Sequence, residues 1–295
     1  MIAASRTHAA RGILLMIAAV TVLSLMDTTT KYLARSYPVQ EVVWARFVSQ
    51  TLLMLLVLGP RTGSGLVATS RPALQVLRGI VLLSASLFFV GALSRMPIAD
   101  ATAIGFLAPL IITVLSVPML GERVDAASYL AVLFGFGGVL VIMRPGAGVY
   151  SWPALLALCA AGSFALFQVL TRKIASIDRT LPTLFYQALV GATVMSCVIP
   201  FYWKVPESAA HILLFLLTGI LASVGHYIMI KAYQTAPAPV IAPFVYAQLV
   251  VVIGLGYSIF GELPDHWSLL GMVIVVASGA FIFRHHRGTQ RSADE

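Results

Sequence analysis

The chain has 295 residues and a mass of 31.5 kDa, with 59% hydrophobic residues and 10% charged ones. A soluble domain of this length carries about 25% charged residues and about 45–50% apolar ones. The mean hydropathy of +0.94 therefore excludes a cytosolic enzyme, a disordered regulator and a secreted disulfide scaffold. We expect an all-α integral membrane protein whose surface contacts the lipid bilayer.

The formal net charge of +8 does not indicate nucleic-acid binding. The basic residues lie at the ends of apolar runs and form no patch, so they act as topology signals. Cys159 and Cys197 fall inside apolar runs, where a thiol behaves as a small buried hydrophobe. We expect no metal ion, no cofactor and no nucleic acid as partners.

Ten segments are apolar enough to cross a membrane, which takes about 20 mostly apolar residues per helix. Gly, Pro and charged residues separate these segments, and most of the connections are short. The predicted spans 1 to 10 cover residues 12–34, 41–58, 76–95, 98–120, 126–143, 152–173, 182–202, 211–233, 238–260 and 266–283.

Lysine and arginine residues are distributed unequally between the two sides of these spans. With the N-terminus inside, twelve basic residues fall on the cytoplasmic side and four on the opposite side. Cytoplasmic loops carry the excess of basic residues in membrane proteins. We therefore expect a multi-pass protein of the bacterial inner membrane with both termini in the cytoplasm.

The two halves of the chain can be aligned without gaps by one constant shift, which takes Gly121 to Gly261 and which we call the repeat offset. Under it, Gly121-Glu122 meets Gly261-Glu262 within an unbroken Gly-Glu-x-x-Asp-x-x-Ser-x-Leu spacing. Each half holds five predicted spans, and an odd number inverts the second copy relative to the first.

We divide the chain into two repeats, residues 1–145 and 146–295. Inverted repeats are typical of secondary transporters, in which a central site opens alternately to either face of the membrane. The alternative is an old gene fusion in a membrane enzyme or a channel. Either origin predicts ten transmembrane helices arranged as two inverted five-helix repeats.

The two five-helix halves, with a Gly-Glu pair closing spans 4 and 9, resemble the EamA-type members of the drug/metabolite transporter superfamily. Within that group, Met26-Asp27 and Lys31 in span 1, Arg46 in span 2 and Lys231 in span 8 are similar to the branch that contains bacterial S-adenosylmethionine and riboflavin carriers. Similar sequences export amino acids and opine-type metallophores.

The resemblance implies a secondary transporter that moves a small molecule by alternating access, with protons as a candidate coupling partner. The first hypothesis for the substrate is an amphipathic or zwitterionic, amino-acid-like metabolite, with export as one direction. The alternative is uptake of a nucleoside-like or flavin-like metabolite such as S-adenosylmethionine or riboflavin.

Charged residues inside the spans are the first candidates for a site, because a charge at mid-membrane costs about 2.5–3.5 kcal/mol on insertion scales. Asp27 and Lys31 are four residues apart on one helix face, where they can pair. Alternatively, Lys31 reaches the outer interface and leaves Asp27 to bind a proton or a cationic group. Arg46 is either an interfacial residue held by Glu41 or an anchor for a substrate carboxylate.

Span 8 carries a polar stripe in which Ser223, Tyr227, Lys231 and Gln234 recur at helical spacing, with His226 beside it. Such a stripe predicts a cavity wall. Helix–helix hydrogen bonds account for part of it without a functional role, and a lysine near a helix end can extend to the interface.

Spans 4 and 9 contain prolines well inside their apolar runs, at Pro109 and Pro243. Proline removes a backbone donor and obstructs the helix, and broken helices form the sites of many transporters. Tyr246 and Gln248 follow the second proline and are candidates for substrate contact. We expect hinges at these two prolines.

Two further groups of residues complete the predicted machinery. Phe164 and Gln168 lie four residues apart in span 6 and predict a second cavity wall. Glu122 and Glu262 end helices on opposite faces of the membrane, which suggests gate or hinge roles. Glycines in spans 5 and 10 predict close packing, either between the two halves or in a homodimer.

The predicted substrate-binding residues are Asp27, Arg46, Phe164, Gln168, His226, Tyr227, Lys231, Tyr246 and Gln248. An enzyme is the competing class, but the chain has no paired-histidine metal motif, no nucleophile elbow and no aspartate-rich pyrophosphate site. A channel would need a filter sequence or rings of charge, which are also missing from the sequence. We therefore expect a transporter and not an enzyme.

Overall fold

The structure is a computed structural model that describes residues 2–121, 126–144, 151–175, 177–235 and 242–294. Within these ranges, the side chains of residues 2–9, 151, 175, 180, 242, 243 and 282–294 are not described. All regular secondary structure in the described part of the chain is helical.

Eleven α-helices are described. They are α1 (Ile2–Ala34), α2 (Val39–Thr62), α3 (Pro72–Leu93), α4 (Ile98–Gly105), α5 (Ala108–Leu120), α6 (Ala126–Met143), α7 (Ser151–Ala175), α8 (Thr180–Val198), α9 (Ala209–Thr235), α10 (Ala247–Phe260) and α11 (His266–Asp294). Three short 3₁₀-helices cover Gly63–Leu66, Ile199–Phe201 and Ala242–Tyr246.

Eight helical segments in the described residues are long and apolar enough to cross a membrane. Two shorter apolar helices, Phe244–Phe260 and His266–Phe281, coincide with the predicted spans 9 and 10. The prediction of an all-α, multi-pass membrane protein is confirmed.

The predicted interruption of span 4 is present. Helix α4 ends at Gly105 and α5 begins at Ala108, with Pro109 in its first turn. Proline has no N–H to donate, and its ring would clash with the carbonyl four residues earlier, which here belongs to Gly105. In span 9, Pro243 lies in a 3₁₀-helix that precedes α10, although its side chain is not described.

The ends of α5 and α10 have matching backbone geometry, as the repeat offset predicts. Gly121 closes α5 at φ 70° and ψ 20°, and Gly261 closes α10 at φ 68° and ψ 18°. Both lie in the left-handed region that glycine adopts without steric cost.

Most of the helices form two bundles that are related by the same offset. Bundle A consists of α1, α2, α9 and α10, with α1 and α2 packed on α9 and α1 also packed on α10. Bundle B consists of α3, α4, α5, α7 and α8, with α3 packed on α7 and α8, and α7 also packed on α4 and α5. Each bundle therefore combines helices from both halves of the sequence.

The bundles meet where α2 packs on α8 and where α4 packs on α10. Beside them, α6 and α11 pack on each other, so their glycines join the two halves of this chain. At this contact, a Cβ added to Gly138 would lie 2.9 Å from the carbonyl oxygen of Gly271. The closeness of these two backbones requires the absence of a side chain.

Gly219 allows α9 to approach α2 in bundle A. A Cβ at this position would lie 2.7 Å from the backbone nitrogen of Gln50 and 2.8 Å from the carbonyl oxygen of Arg46. The repeat offset relates Gly219 to Gly79 and Gln50 to Val190, and a Cβ at Gly79 would overlap Val190. The same close contact therefore occurs once in each bundle.

We predict that Gly219→Ala destabilises the protein, because the added methyl group meets backbone atoms that cannot rotate away. Overpacking of this kind costs about 1–3 kcal/mol. Gly137→Ala is the matched control, since no atom lies within 4 Å of a Cβ placed there. Thermal unfolding of the two purified variants should separate them, and equal midpoints would contradict the packing of α9 on α2.

Asp178 joins the α7–α8 loop to the α2–α3 loop. Its carboxylate accepts hydrogen bonds from the Thr69 hydroxyl, from the backbone N–H of Ser70 at 2.9 Å and from the side-chain amide of Gln75 at 3.0 Å. The Thr69 hydrogen bond, followed by that from Ser70, holds the pKa of Asp178 below its ordinary value of 3.8.

We predict that Asp178→Asn lowers the unfolding midpoint by about 2 °C at pH 7, because hydrogen bonds to a charged acceptor are weakened. A carboxyl group whose folded-state pKa is depressed stabilises the protein above its unfolded pKa, and this contribution is lost as the pH falls through the folded-state pKa. The difference between wild type and variant should therefore shrink below about pH 4. A difference that persists at pH 3 would contradict this role of the charge.

Candidate substrate site

Asp27 lies in α1 where this helix crosses α10. Its side chain is buried, and its Oδ2 accepts a hydrogen bond of 3.4 Å from the side-chain amide of Gln248. The hydroxyls of Ser24 and Thr28 bond back to carbonyls of their own helix. The structure therefore brings together two of the predicted site residues, one from each half of the chain.

Arg46 extends from α2 of bundle A to α3 of bundle B. Its Nη2 donates a hydrogen bond of 2.5 Å to the buried Ser86 hydroxyl. The guanidinium also interacts electrostatically with Asp27 and with His226 of α9. Arg46 is thus the charged residue that connects this part of bundle A to bundle B.

The interpretation of Arg46 as a residue held by Glu41 is wrong. Glu41 accepts a hydrogen bond of 3.1 Å from the backbone N–H of Lys204 instead. Arg46 follows Glu41 by five positions, and on a helix this spacing places two side chains on different faces.

The predicted pairing of Asp27 with Lys31 is also wrong. The Lys31 ammonium donates to Glu262 Oε2 at 2.6 Å and to the Met96 carbonyl oxygen at 2.7 Å. The carboxylate of Glu262 and the carbonyl of Met96 together accept two of the three N–H bonds of the Lys31 ammonium. The Lys31 side chain therefore extends toward the end of α1. Asp27 instead accepts the hydrogen bond from Gln248 and interacts electrostatically with Arg46.

Glu262, a predicted gate residue, bonds to two cations at once. Besides Lys31, it accepts a hydrogen bond of 2.7 Å from Arg35. Both cations lie over the ring of Phe260, at 5.2 Å for Lys31 and 4.3 Å for Arg35. Because Lys31 also bonds to Met96 between α3 and α4, this cluster links bundle A to bundle B.

The polar stripe of α9 divides between two faces of the helix. His226 is half-buried, and its Nδ1 lies 2.7 Å from the carbonyl oxygen of Ala222, a residue that packs against Leu23 and Met26 of α1. Tyr227 is 61% exposed, and the exposed Lys231 ammonium lies 5.7 Å from its ring centroid. The same outer face carries the exposed apolar residues Leu213, Ile220 and Val224.

The remaining predicted side chains lie on other helices. Tyr246 packs between halves, with its ring 5.0 Å from that of Phe106 and its hydroxyl against Gly279. Phe164 and Gln168 are exposed on α7. The ring of Phe164 stacks on that of the neighbouring Phe167 at 5.9 Å. Pro109 is exposed at the break of span 4, and Glu122 lies outside the described residues.

Arg78 is a buried cation whose surroundings sequence reasoning did not find. It is 1% exposed and donates to the Thr171 hydroxyl at 3.1 Å and to the Thr183 carbonyl oxygen. Its guanidinium lies 5.0 Å from the centroid of the Phe167 ring. An arginine near the cytoplasmic start of a predicted span is expected to be a topology signal, and the sequence did not show that the helix begins earlier, at Pro72.

Ser86 was missed as well, because a serine in a membrane helix ordinarily bonds back to its own backbone. Ser86 does so with Leu82 at 2.8 Å and in addition accepts the Arg46 hydrogen bond. Among the described residues, there is no group of three His, Cys, Asp or Glu side chains that could hold a metal ion.

The fold and these buried charges define a multi-pass membrane protein with polar groups between two helical bundles, as in a transporter. The model of the EamA-like transporter family matches residues 10–144 and again residues 151–284. The chain therefore belongs to the EamA-like transporter family and is a membrane transporter.

Several curated relatives match along nearly their whole length. The S-adenosylmethionine uptake transporter of Rickettsia prowazekii is 30% identical over 92% of this chain and 92% of its own. The pseudopaline exporter CntI of Pseudomonas aeruginosa is 27% identical over 94% of this chain and 97% of its own. The riboflavin transporter of Rhizobium johnstonii is 27% identical over 98% of this chain and 96% of its own.

A crystal structure of another protein superposes with a TM-score of 0.64 at 20% sequence identity. The superposition covers 96% of this chain and 99% of the other. This likeness shows a shared fold.

We predict that Glu262→Gln destabilises the protein by about 3 kcal/mol, because it leaves the Lys31 ammonium, 3% exposed, without its counter-charge. Glu207→Gln is the control, since this glutamate pairs with Lys204 where both side chains are about half exposed, at 54% and 47%. Thermal unfolding should show a clear loss for the first variant and no measurable change for the second. Equal effects would contradict the structural role of the Glu262 cluster.

Proposed function

We propose that the chain is a secondary transporter of the bacterial inner membrane that carries a small zwitterionic, amino-acid-like metabolite by alternating access. It has ten transmembrane spans in two inverted five-helix repeats, with both termini in the cytoplasm. The twelve-to-four distribution of basic residues supports this orientation. The two family matches, one in each half of the chain, support the repeat.

The arrangement of the bundles supports alternating access. The repeat offset relates bundle A to bundle B. A movement that opens the site to one side of the membrane therefore has a counterpart that opens the site to the other side. The contacts of α2 with α8 and of α4 with α10 lie between the bundles and serve as the axis of the movement. We place hinges at Pro109 and Pro243 and assign gate roles to Glu122 and Glu262.

The substrate site in this proposal lies between Asp27 and Arg46. These residues carry opposite charges, come from neighbouring helices of bundle A and interact electrostatically while each bonds to a different neutral side chain. An α-ammonium group fits the carboxylate of Asp27, and an α-carboxylate fits the planar guanidinium of Arg46. This separated pair of opposite charges, of which Asp27 is buried and Arg46 half-buried, is the observation on which the substrate class rests.

The facing wall, in bundle B, is more aromatic than that of bundle A. The offset that relates the bundles takes Asp27 to Phe167 and Arg46 to Tyr186. Bundle B therefore carries aromatic residues at the positions that hold charges in bundle A, with the Arg78 guanidinium over the buried Phe167 ring and the exposed Phe164 ring stacked on the same ring. A substrate with a zwitterionic end and a ring fits between these two walls.

His226 and Gln248 complete the polar wall of bundle A, and we keep Gln168 with Phe164 on bundle B. Tyr246 orients the break before α10 through its contacts with Phe106 and Gly279. We assign Tyr227 and Lys231 to the membrane-facing surface of α9, because they share that face with exposed apolar residues.

S-adenosylmethionine is the first compound to test, because it has both an amino-acid group and a ring. Relatives that are 30–31% identical are named S-adenosylmethionine uptake transporters. The second candidate function is uptake of a nucleoside-like or flavin-like metabolite, recognised by its ring system. The relatives named as S-adenosylmethionine uptake and riboflavin transporters support this candidate. Export is supported by the relative that is named a pseudopaline exporter. All of these candidates are transport functions, and we propose no catalysis.

We predict saturable counterflow of labelled S-adenosylmethionine into proteoliposomes that contain the purified chain and unlabelled substrate. Methylthioadenosine, which lacks the amino-acid group, should compete at least tenfold more weakly than S-adenosylhomocysteine, since each lost charged hydrogen bond costs about 1.5–3 kcal/mol. Asp27→Asn and Arg46→Gln should each reduce counterflow at least about tenfold.

The control variant is Arg61→Gln, which alters an exposed arginine of the same helix as Arg46 and should leave counterflow unchanged. Equal competition by the two adenosine compounds would contradict recognition of the zwitterion. Near-normal counterflow in a correctly folded Asp27→Asn variant would remove Asp27 from the site. Conductance without saturation would contradict a carrier.

A further inference from the structure

A polar cavity of about 310 Å³ lies where the end of α1, the end of α10 and the α3–α4 connection meet. Its lining comes from both bundles. The residues around it are Lys31, Arg35, Leu93, Ser94, Arg95, Met96, Pro97 and Glu262. This volume is at the small end of ligand sites in proteins.

The cavity has an excess of positive charge. It is lined by three cations, Lys31, Arg35 and Arg95, but by a single carboxylate, Glu262. Both oxygens of that carboxylate are already engaged, one by Lys31 and the other by Arg35. Of the ion pairs described, none involves Arg95, so two positive charges in this lining have no counter-charge there.

The two arginines are suited to hold an anion between them. Arg35 donates to Glu262 through Nη2 and is 46% exposed, so other N–H groups of its guanidinium remain free to donate. Arg95 is exposed on the α3–α4 connection, which supplies the part of the lining that comes from bundle B. A guanidinium presents a planar fork that matches a carboxylate or a phosphate.

The cavity is distinct from the substrate site proposed above. Arg35 follows Asp27 by eight residues and lies just beyond the end of α1, which corresponds to a separation of about 12 Å along the helix axis. Lys31 and Glu262, which bond to each other, line the cavity, whereas Asp27 and Arg46 do not.

We propose that this cavity binds a small anionic group, a carboxylate or a phosphate, between Arg35 and Arg95. Arg35 directly follows α1 of bundle A, and Arg95 lies in the α3–α4 connection of bundle B. A bound anion therefore joins the two bundles at the same end of the protein where Lys31 bonds to the Met96 carbonyl. The ligand is either a soluble carboxylate or the phosphate of a lipid headgroup, and the cavity size limits it to a small group.

The test uses the full chain in nanodiscs of phosphatidylcholine at constant ionic strength, with succinate as the probe and neutral succinamide as its control. Succinate should raise the unfolding midpoint in a saturable manner, and succinamide should not. Arg95→Gln should raise the dissociation constant for succinate at least about tenfold, because one charged hydrogen-bonding partner is lost. This arginine makes no described ion pair, so the variant should fold normally.

The matched control is Lys204→Gln, which removes an exposed cation that lies outside the cavity and pairs with Glu207. Its affinity for succinate should equal that of the wild type. A second arm replaces part of the lipid by phosphatidylglycerol. If that lipid raises the midpoint through Arg95 and suppresses succinate binding, the ligand is a headgroup phosphate.

Binding of succinate that depends on Arg95, or stabilisation by phosphatidylglycerol that depends on it, supports the anion site. Absence of both, or equal effects in the wild type and Arg95→Gln, overturns it. Neither measurement involves transport, so this result is independent of the counterflow experiments on Asp27 and Arg46.

Discussion

Each bundle of this transporter depends on contacts between helices from the two halves of the chain. Helices α1 and α2 of the first half pack on α9 of the second, and α7 and α8 of the second half pack on α3 of the first. The units that move as bodies in our proposal are therefore the bundles and not the sequence repeats. The polar residues between the bundles, the cavity at the end of α1 and the close packing at Gly219 all follow from this exchange of helices.

Charged side chains connect the bundles at a few defined points. Arg46 reaches Ser86 across the boundary, and Lys31 reaches the Met96 carbonyl while it pairs with Glu262. A charge without a partner costs free energy at membrane depth. The side chains of Arg46 and Lys31 therefore bond to polar groups of other helices. In the proposed mechanism, a substrate that brings its own charged groups takes the place of such a partner, which relates substrate binding to movement of the bundles.

The predictions for individual side chains show where sequence patterns stop being informative. The spacing of Asp27 and Lys31 permits a pair on one helix face, yet Lys31 binds Glu262, which is 231 residues away in the chain. The stripe of α9 has helical periodicity, but periodicity does not say which of its members face a neighbouring helix. His226 lies on the packed side, whereas Tyr227 lies among exposed apolar residues.

The sequence by itself determined the apolar helices, the interruption at Pro109 and the matching helix ends at Gly121 and Gly261. These features depend on local composition and on the backbone chemistry of proline and glycine, which act over a few residues. The tertiary structure alone decided the grouping of helices into bundles and the partners of Arg46 and Lys31. Those contacts join residues distant in the chain, and they depend on which helix faces come together in the folded protein.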